Sequence, residues 1–351
     1  MKRLRVAVVG CGAIANLHLA VWSKMRQAQV VALCDVDEEK AKEVGRKWGI
    51  WSYYTDMQTM ISKENVEIVD ICTPPQTHHS LIIQAAKLGC DILVEKPLTV
   101  TSKEAKEVVD VVKTAGVKIC TIHNDKFQPG AIEMIFRVKR GEIGNVIGFY
   151  QEYLGTSSDP MLVNKNHWCH TLPGGRIGEC LPHPVYMLQT FLGNDLKIKA
   201  VATLKLSTFE WVPYDELYAV LCNKEGSVGT IHVSFNSPKN TNIIRVYGEK
   251  GMLETNLYTR TVVKSSIIAP ESRTEKMLEN IRTARQILTM TMKLGVLTAL
   301  GRLRNGHEAC ISAFIDSILH DRDVPIGLEE AYNNVRLCEE IVRRAAEAKP
   351  Y

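Results

Sequence analysis

Val8-Val9-Gly10-Cys11-Gly12-Ala13-Ile14-Ala15 reads as the end of a strand, a glycine turn and the start of a helix. Glycines here let the backbone approach a pyrophosphate closely, and the helix that follows turns its first amides towards the phosphates. Ala15 takes the third position of the fingerprint, where a small side chain lets helix pack on strand. Working outward, the apolar run Leu4 to Val9 leads into the turn, and a second apolar strand, Val30 to Cys34, ends at Asp35. Asp35 stands 23 residues past Gly12, near the roughly 20-residue offset of the carboxylate that holds an adenosine ribose. Gly10, Gly12, Ala13, Ile14, Ala15 and Asp35 are therefore the expected NAD contacts. Val36-Asp37 brings neither Arg nor Ser to a 2′-phosphate, which favours NAD over NADP.

The strand-and-helix alternation continues. Asp37 to Trp48 has helical spacing, followed by a third strand (Glu67 to Cys72), a helix (Gln76 to Leu88), a fourth strand (Asp91 to Val94), a helix (Ser102 to Ala115) and a fifth strand (Val117 to His123). This pattern predicts a parallel sheet with crossover helices, an α/β Rossmann domain over residues 1–123. Ligands of such sheets gather beyond the carboxyl ends of the strands. Two clusters fall there: Thr73-Pro74 with His78, and Glu95-Lys96-Pro97.

A chain of 351 residues is long enough for two domains. Its 43 basic and 39 acidic side chains leave a net charge of only +4, and no arginine-rich tract or zinc-finger spacing points to nucleic acid. The ten cysteines are scattered without a CxxC pair, as small core residues of a reducing compartment would be. Basic residues before the apolar run within Met1 to Val9 mimic a secretory signal, but the glycine fingerprint occupies the cleavage region, so a cytoplasmic protein is expected. His167, Cys169, His170, Cys180 and His183 include possible zinc ligands, yet their spacing matches no compact zinc signature and no metal is expected.

Together, the N-terminal fingerprint, Thr73-Pro74 with His78, and Glu95-Lys96-Pro97 resemble the Gfo/Idh/MocA oxidoreductases, over nearly the whole chain. The resemblance implies that Lys96 helps bind cofactor and substrate and supports catalysis, with Thr73, Pro74, His78 and Glu95 on the cofactor side. Trp168, Gly174-Gly175 and Glu179-Cys180-Leu181-Pro182-His183 resemble the family's Trp, glycine-rich loop, acid and histidine. That places Trp168 at the cofactor and His183 at the substrate. The chain departs from the family's pattern in several places. Glu179 stands for the usual Asp, Arg176 for a common third glycine, and Pro184 and Tyr186 follow His183 where an Asp often lies three residues on. Lys126-Phe127-Gln128-Pro129 replaces a frequent Arg-Phe-x-Pro, leaving Asn124, Lys126 and Arg176 as candidate substrate contacts.

The second half reads as a helix from Pro129 to near Gly141, then strands at Asn145 to Tyr153, Ile198 to Leu206, Leu217 to Cys222, Ser227 to Phe235, Asn242 to Tyr247 and Met252 to Thr255. Strands in succession predict a C-terminal α+β domain, residues 124–351, on a mainly antiparallel sheet. The resemblance implies that its open face joins copies into a homo-oligomer. His307 to His320 and Leu328 to Ala348 read as closing helices.

Glu271 to Asn305 is a helical insert of another character. Seven basic side chains face three acidic ones, an excess equal to the whole chain's net charge. Leu288, Met292, Val296 and Leu300 recur every four residues, in a run too short to span a bilayer. Burial against a neighbouring subunit or over the active site is the preferred reading. The other is a basic, apolar surface over residues 281–304 for a membrane or a lipid-linked sugar.

The chain is thus expected to be an NAD-dependent dehydrogenase moving hydride at a secondary alcohol of a sugar, cyclitol or nucleotide sugar. In this reading His183 is acid/base, Lys96 polarises the reacting oxygen and Glu179 orients His183. The alternatives are a redox-neutral lyase or glycosidase with transient oxidation, and an NAD-binding regulator without catalysis.

Overall fold

Six apolar residues, Leu4–Val9, form β1, and Gly10 breaks the strand because its backbone turns to φ +90°. The structure, a computed structural model, describes residues 3–265 and 272–347. Met1, Lys2, Glu271 and Ala348, which entered the sequence readings above, lie outside the described residues.

Helix α1 (Ala13–Trp22) leads to β2 (Ala28–Cys34), then α2 (Glu38–Trp48), β3 (Tyr53–Tyr54), α3 (Met57–Glu64), β4 (Ile68–Ile71), α4 (His78–Lys87), β5 (Asp91–Val94), α5 (Ser102–Ala115) and β6 (Ile119–Thr121). The strands make one parallel sheet in the order β3-β2-β1-β4-β5-β6. Local chemistry sets the helix ends. Asp37 caps α2 by accepting from the Lys40 amide at 3.2 Å, and Thr101 and Glu104 close a capping box on α5. The sequence reading omits β3, whose two residues are too short for periodicity to show, and α3, which is capped by Asp56.

The chain continues through α6 (Pro129–Lys139), β7 (Val146–Leu154), α7 (Pro160–Val163), α8 (Gly175–Cys180), α9 (Pro182–Leu192) and β8 (Leu196–Leu204). There follow β9 (Glu216–Asn223), β10 (Val228–Ser234), β11 (Thr241–Gly248), β12 (Gly251–Asn256), β13 (Thr261–Ser265) and α10 (Arg273–Ala299). The seven strands run β13-β12-β11-β7-β10-β9-β8, antiparallel except for the parallel pair β7 and β10. One face packs under α9, whose Leu188 comes so close to β10 that a Cβ on Gly229 would meet its Cδ1 at 2.5 Å. Tyr186, Leu217, Ile231, Val233 and Ile244 fill that core.

Two helices end the chain, α11 (Gly306–Leu319) and α12 (Leu328–Glu347). Residues 1–124 and 307–336 form one compact unit, and residues 125–306 and 337–351 the other. The division therefore differs from a single boundary at 123/124: Ala331 and Val335 belong to the first core, whereas Leu337 and Ile341 belong to the second.

Within the basic insert, Leu294 alone of the described α10 residues is buried in this chain. Leu288, Met292, Val296 and Leu300 are exposed.

Candidate active site

The glycine turn meets the demands of a phosphate cradle. A Cβ on Gly10 would lie 2.8 Å from the Cys72 carbonyl carbon, whereas a Cβ on Gly12 would meet nothing within 4 Å. Gly12 is the N-cap of α1, and no side chain caps that helix among the described residues. Its N-terminus can therefore take an anion. Ala15 is buried behind the turn and Ile14 half-buried beside it. Asp35, at the end of β2, accepts from the Cys11 amide at 2.7 Å and the Asp37 amide at 3.0 Å, which fixes its carboxylate at the sheet's carboxyl edge. Val36 beside it is 93 % exposed and offers no cation to a 2′-phosphate. Turn, helix end and carboxylate fit a dinucleotide.

Thr73 and Pro74 follow β4, and Thr77 donates to the Pro74 carbonyl at 2.9 Å. His78, expected at the cofactor, is instead wholly buried. Its Nδ1 lies 2.8 Å from the Pro97 carbonyl and its Nε2 3.0 Å from the Thr73 carbonyl. Burial lowers its pKa. It ties the loop after β4 to the loop after β5.

Glu95 also faces inward. Its Oε1 lies 2.9 Å from His18 Nε2 and 3.4 Å from His307 Nε2, and its Oε2 accepts from the Lys96 amide at 3.2 Å. On the far side of the same ring, His18 Nδ1 sits 2.9 Å from Asp70 Oδ2, to which Trp22 Nε1 donates at 2.6 Å. Burial opposes a charge on His18, but Asp70 overrides it and raises the imidazole's pKa well above 6.5. Burial likewise pushes Glu95 up, but hydrogen bonds from His18 and His307 override it and hold the carboxyl well below the usual range. Asp70 is a buried acid inside a strand, matched there by the His18 ring and the Trp22 indole N–H. The chain of contacts fixes the backbone that presents Lys96.

The other candidates lie in the second unit, beginning with Lys126 on the short turn Asn124–Phe127, whose Asn124 closes the first unit. His183 enters α9 just after Pro182. Its Nδ1 is 2.8 Å from the Tyr186 hydroxyl and 3.6 Å from Asp125 Oδ2, and its ring stacks on Tyr153 at 5.5 Å. The Asp125 amide donates to the Tyr186 hydroxyl at 3.1 Å, and Asn242 donates to the Asp125 carboxylate at 3.2 Å. The carboxylate facing the histidine is thus Asp125. Glu179, expected in that place, pairs with Arg176.

Arg176 is itself committed. It holds Asp159 through two bonds at 3.0 and 3.1 Å, stacks over Phe235 at 4.5 Å and is 9 % exposed. Burial opposes its charge, but Glu179 and Asp159 hold the guanidinium pKa above its usual value. The arginine in the third-glycine position ties the loop to Asp159 and Glu179. Trp168 is half-buried on a short turn beside His167.

His18 and Asp70 escape the sequence reading, as does Asp125 as the acid beside the histidine, and Tyr186 enters it only as a departure from the family's Asp. His18 and Asp70 are 52 residues apart and Asp125 and Tyr186 are 61 apart, beyond any local periodicity. His18 lies inside the fingerprint helix, but nothing in its local spacing names Asp70 or Glu95 as its partners. Among the described residues, two groups of three could bring metal-ligand atoms within reach of one another, His18-Asp70-Cys72 and His18-Glu95-His307, both within the network above.

The chain matches, at residues 4–123, the Gfo/Idh/MocA oxidoreductase family with its NAD-binding Rossmann fold and, at residues 137–351, that family's C-terminal alpha/beta domain. It is 29 % identical over 236 residues to a D-apiose dehydrogenase of Paraburkholderia graminis, covering 66 % of this chain and 60 % of that protein. It is 27 % identical over 257 residues to the scyllo-inositol 2-dehydrogenase (NAD(+)) of Bacillus subtilis, covering 72 % and 73 %. The fold matches that of the WlbA dehydrogenase from Bordetella pertussis, solved with NADH and UDP-GlcNAcA, at a TM-score of 0.81 and 19 % identity over 99 % of this chain and 96 % of that one.

Proposed function

The chain belongs to the Gfo/Idh/MocA oxidoreductase family, and we propose that it is an NAD-dependent dehydrogenase of a secondary alcohol on a sugar, cyclitol or nucleotide sugar. The observation that carries this reading is His183, engaged on Nδ1 by a hydroxyl and a nearby carboxylate, in a chain whose other unit is an NAD-binding fold. The relatives that act on apiose and inositol support the substrate class.

Bound NAD supplies the hydride acceptor. Gly10 and Gly12 admit the pyrophosphate to the N-terminus of α1, and Asp35 takes the ribose hydroxyls. With Nδ1 engaged, His183 exchanges the hydroxyl proton at Nε2, and Asp125 stabilises the imidazolium that forms. Lys96 polarises the same oxygen and steadies its developing negative charge. Glu179 acts at one remove, through Arg176, by holding the loop that leads into α9. Trp168, Lys126 and Asn124 line cofactor and substrate.

The open face of the second sheet, with Tyr218 stacked on His232 at 4.1 Å and Arg245 over Tyr150 at 5.7 Å, supports a homo-oligomer. Ten cysteines, none of them in a disulfide, support a cytoplasmic setting.

The test follows NADH absorbance with the protein, NAD and a panel of sugars, cyclitols and nucleotide sugars. NADH should accumulate with one substrate class, and Lys96→Ala should lower turnover about 10³-fold with an unchanged melting temperature. Unchanged turnover in that variant, or product without NADH, would sink the reading.

A further inference from the structure

Helix α10 turns one side towards the chain and leaves an apolar side uncovered among the described residues. Glu279, Thr283, Gln286, Met290, Leu294 and Leu297 recur every three or four residues and form its less exposed side. Gln286 fixes that side to β13, accepting from the Lys264 amide at 2.8 Å and donating to the Lys264 carbonyl at 3.0 Å. Lys293 reaches Glu133 of α6 at 3.4 Å. On the opposite pole, Met277, Ile281, Leu288 and Met292 are turned outward, the last two 62 % and 64 % exposed. Val296 and Leu300 extend the exposed apolar surface. A helix anchored along one side ordinarily turns polar residues to water on the other. The neighbouring α6 repeats the anomaly, with Ile132 and Phe136 exposed one turn apart.

Charge selects the occupant. Residues 272–304 carry seven basic side chains against two acidic ones, an excess of five. Arg137, Lys250, Lys264, Arg282, Arg285 and Lys293 line a cavity of about 770 Å³ beside this helix together with Glu133, Glu142 and Glu279, so the basic excess persists there after those carboxylates are counted. A second copy docking through the same face would bring two equal positive excesses together, which opposes that pairing. Among the described residues, no helix is long and apolar enough to cross a membrane. Basic side chains flanking an exposed apolar face are the pattern of a helix that lies in the plane of a bilayer surface.

We propose that α10 docks the protein on an anionic phospholipid surface. Met277, Ile281, Leu288 and Met292 enter the acyl boundary, while Arg282 and Arg285 meet the headgroup phosphates. This inference stands on the second unit alone and does not depend on the dehydrogenase reading.

The full chain is sedimented with vesicles of phosphatidylcholine, with and without phosphatidylglycerol, at rising salt. Two double variants, Leu288→Glu with Met292→Glu and Arg282→Glu with Arg285→Glu, change only exposed positions of α10. The wild type should pellet with the phosphatidylglycerol vesicles and be released by salt. Each double variant should bind at least about tenfold more weakly. If the apolar variant does not melt like the wild type, the charge-reversed pair decides. Wild-type protein left in the supernatant with phosphatidylglycerol, or a charge-reversed variant that binds like the wild type, overturns the proposal. So does a solution dimer that the apolar variant dissociates, which would make this face a contact between copies.

Discussion

His18 is where one side chain's ionisation carries the most weight, because it stands between Asp70 and Glu95 with no exposure to water. Its folded pKa is raised, so its stabilising contribution is complete below about pH 6.5 and fades as pH climbs through the raised value. Glu95 behaves in the opposite sense. Its folded pKa is depressed, so its contribution is present above about pH 4.5 and fades as pH falls through the depressed value. His18→Gln should therefore lower stability by about 3 kcal/mol between those limits, where both charges count. Thermal melts taken in steps upward from pH 6 should show the deficit shrinking, and a deficit that stays constant would mean that shape rather than charge matters at this position. None of this is legible in the sequence. A buried ion pair joins residues by their place in the sheet, and the 77 positions between His18 and Glu95 leave no local trace. The same holds for Asp125 and His183. The acid four residues before the histidine is the natural choice from spacing alone, yet Glu179 pairs with an arginine in the glycine loop and Asp125 lies 3.6 Å from the ring.

At the scale of elements, the strand-turn-helix of the first unit separates two glycines that the motif treats alike. Gly10 has a positive φ and the backbone of Cys72 against its missing side chain, whereas Gly12 faces open space. Gly10→Ala should thus destabilise the protein by about 2 kcal/mol or more, since left-handed strain and overpacking both act there. Gly12→Ala should melt close to the wild type but bind NAD at least about tenfold more weakly, because its Cβ stands where the pyrophosphate approaches. Fluorescence titration with NAD beside a thermal melt resolves the two, and a Gly12→Ala variant with native affinity would remove the phosphate from this turn. Sequence reading works well for elements of this kind, because glycines, caps and apolar runs are local causes. It works less well for β3, a strand of two tyrosines, and for α10, where apolar spacing tells that a face exists but not whether the chain covers it.

For the whole molecule, the decisive feature is that the chain returns to its first unit near its end. Residues 307–336 supply Ala331 and Val335 to the core that holds β1, β4 and β5. His307 meets Glu95, Lys118 donates to the Arg322 carbonyl at 2.8 Å, and His123 Nδ1 lies 3.0 Å from Glu330. A boundary drawn from the alternation of strands and helices stops at β6, because nothing local in α11 or α12 names the sheet on which they pack. The consequence can be tested with two fragments. Residues 1–124 alone lack these helices and should show no cooperative melt and little NAD binding, since the core would open to water along the missing helices. Residues 1–124 joined by a flexible linker to 307–336 should melt cooperatively, and NAD at about a hundred times its Kd should add roughly 2.7 kcal/mol of stability. A cooperative, NAD-stabilised melt of the shorter fragment would show that the first unit is complete without the returning helices and that their contacts contribute only at its margin.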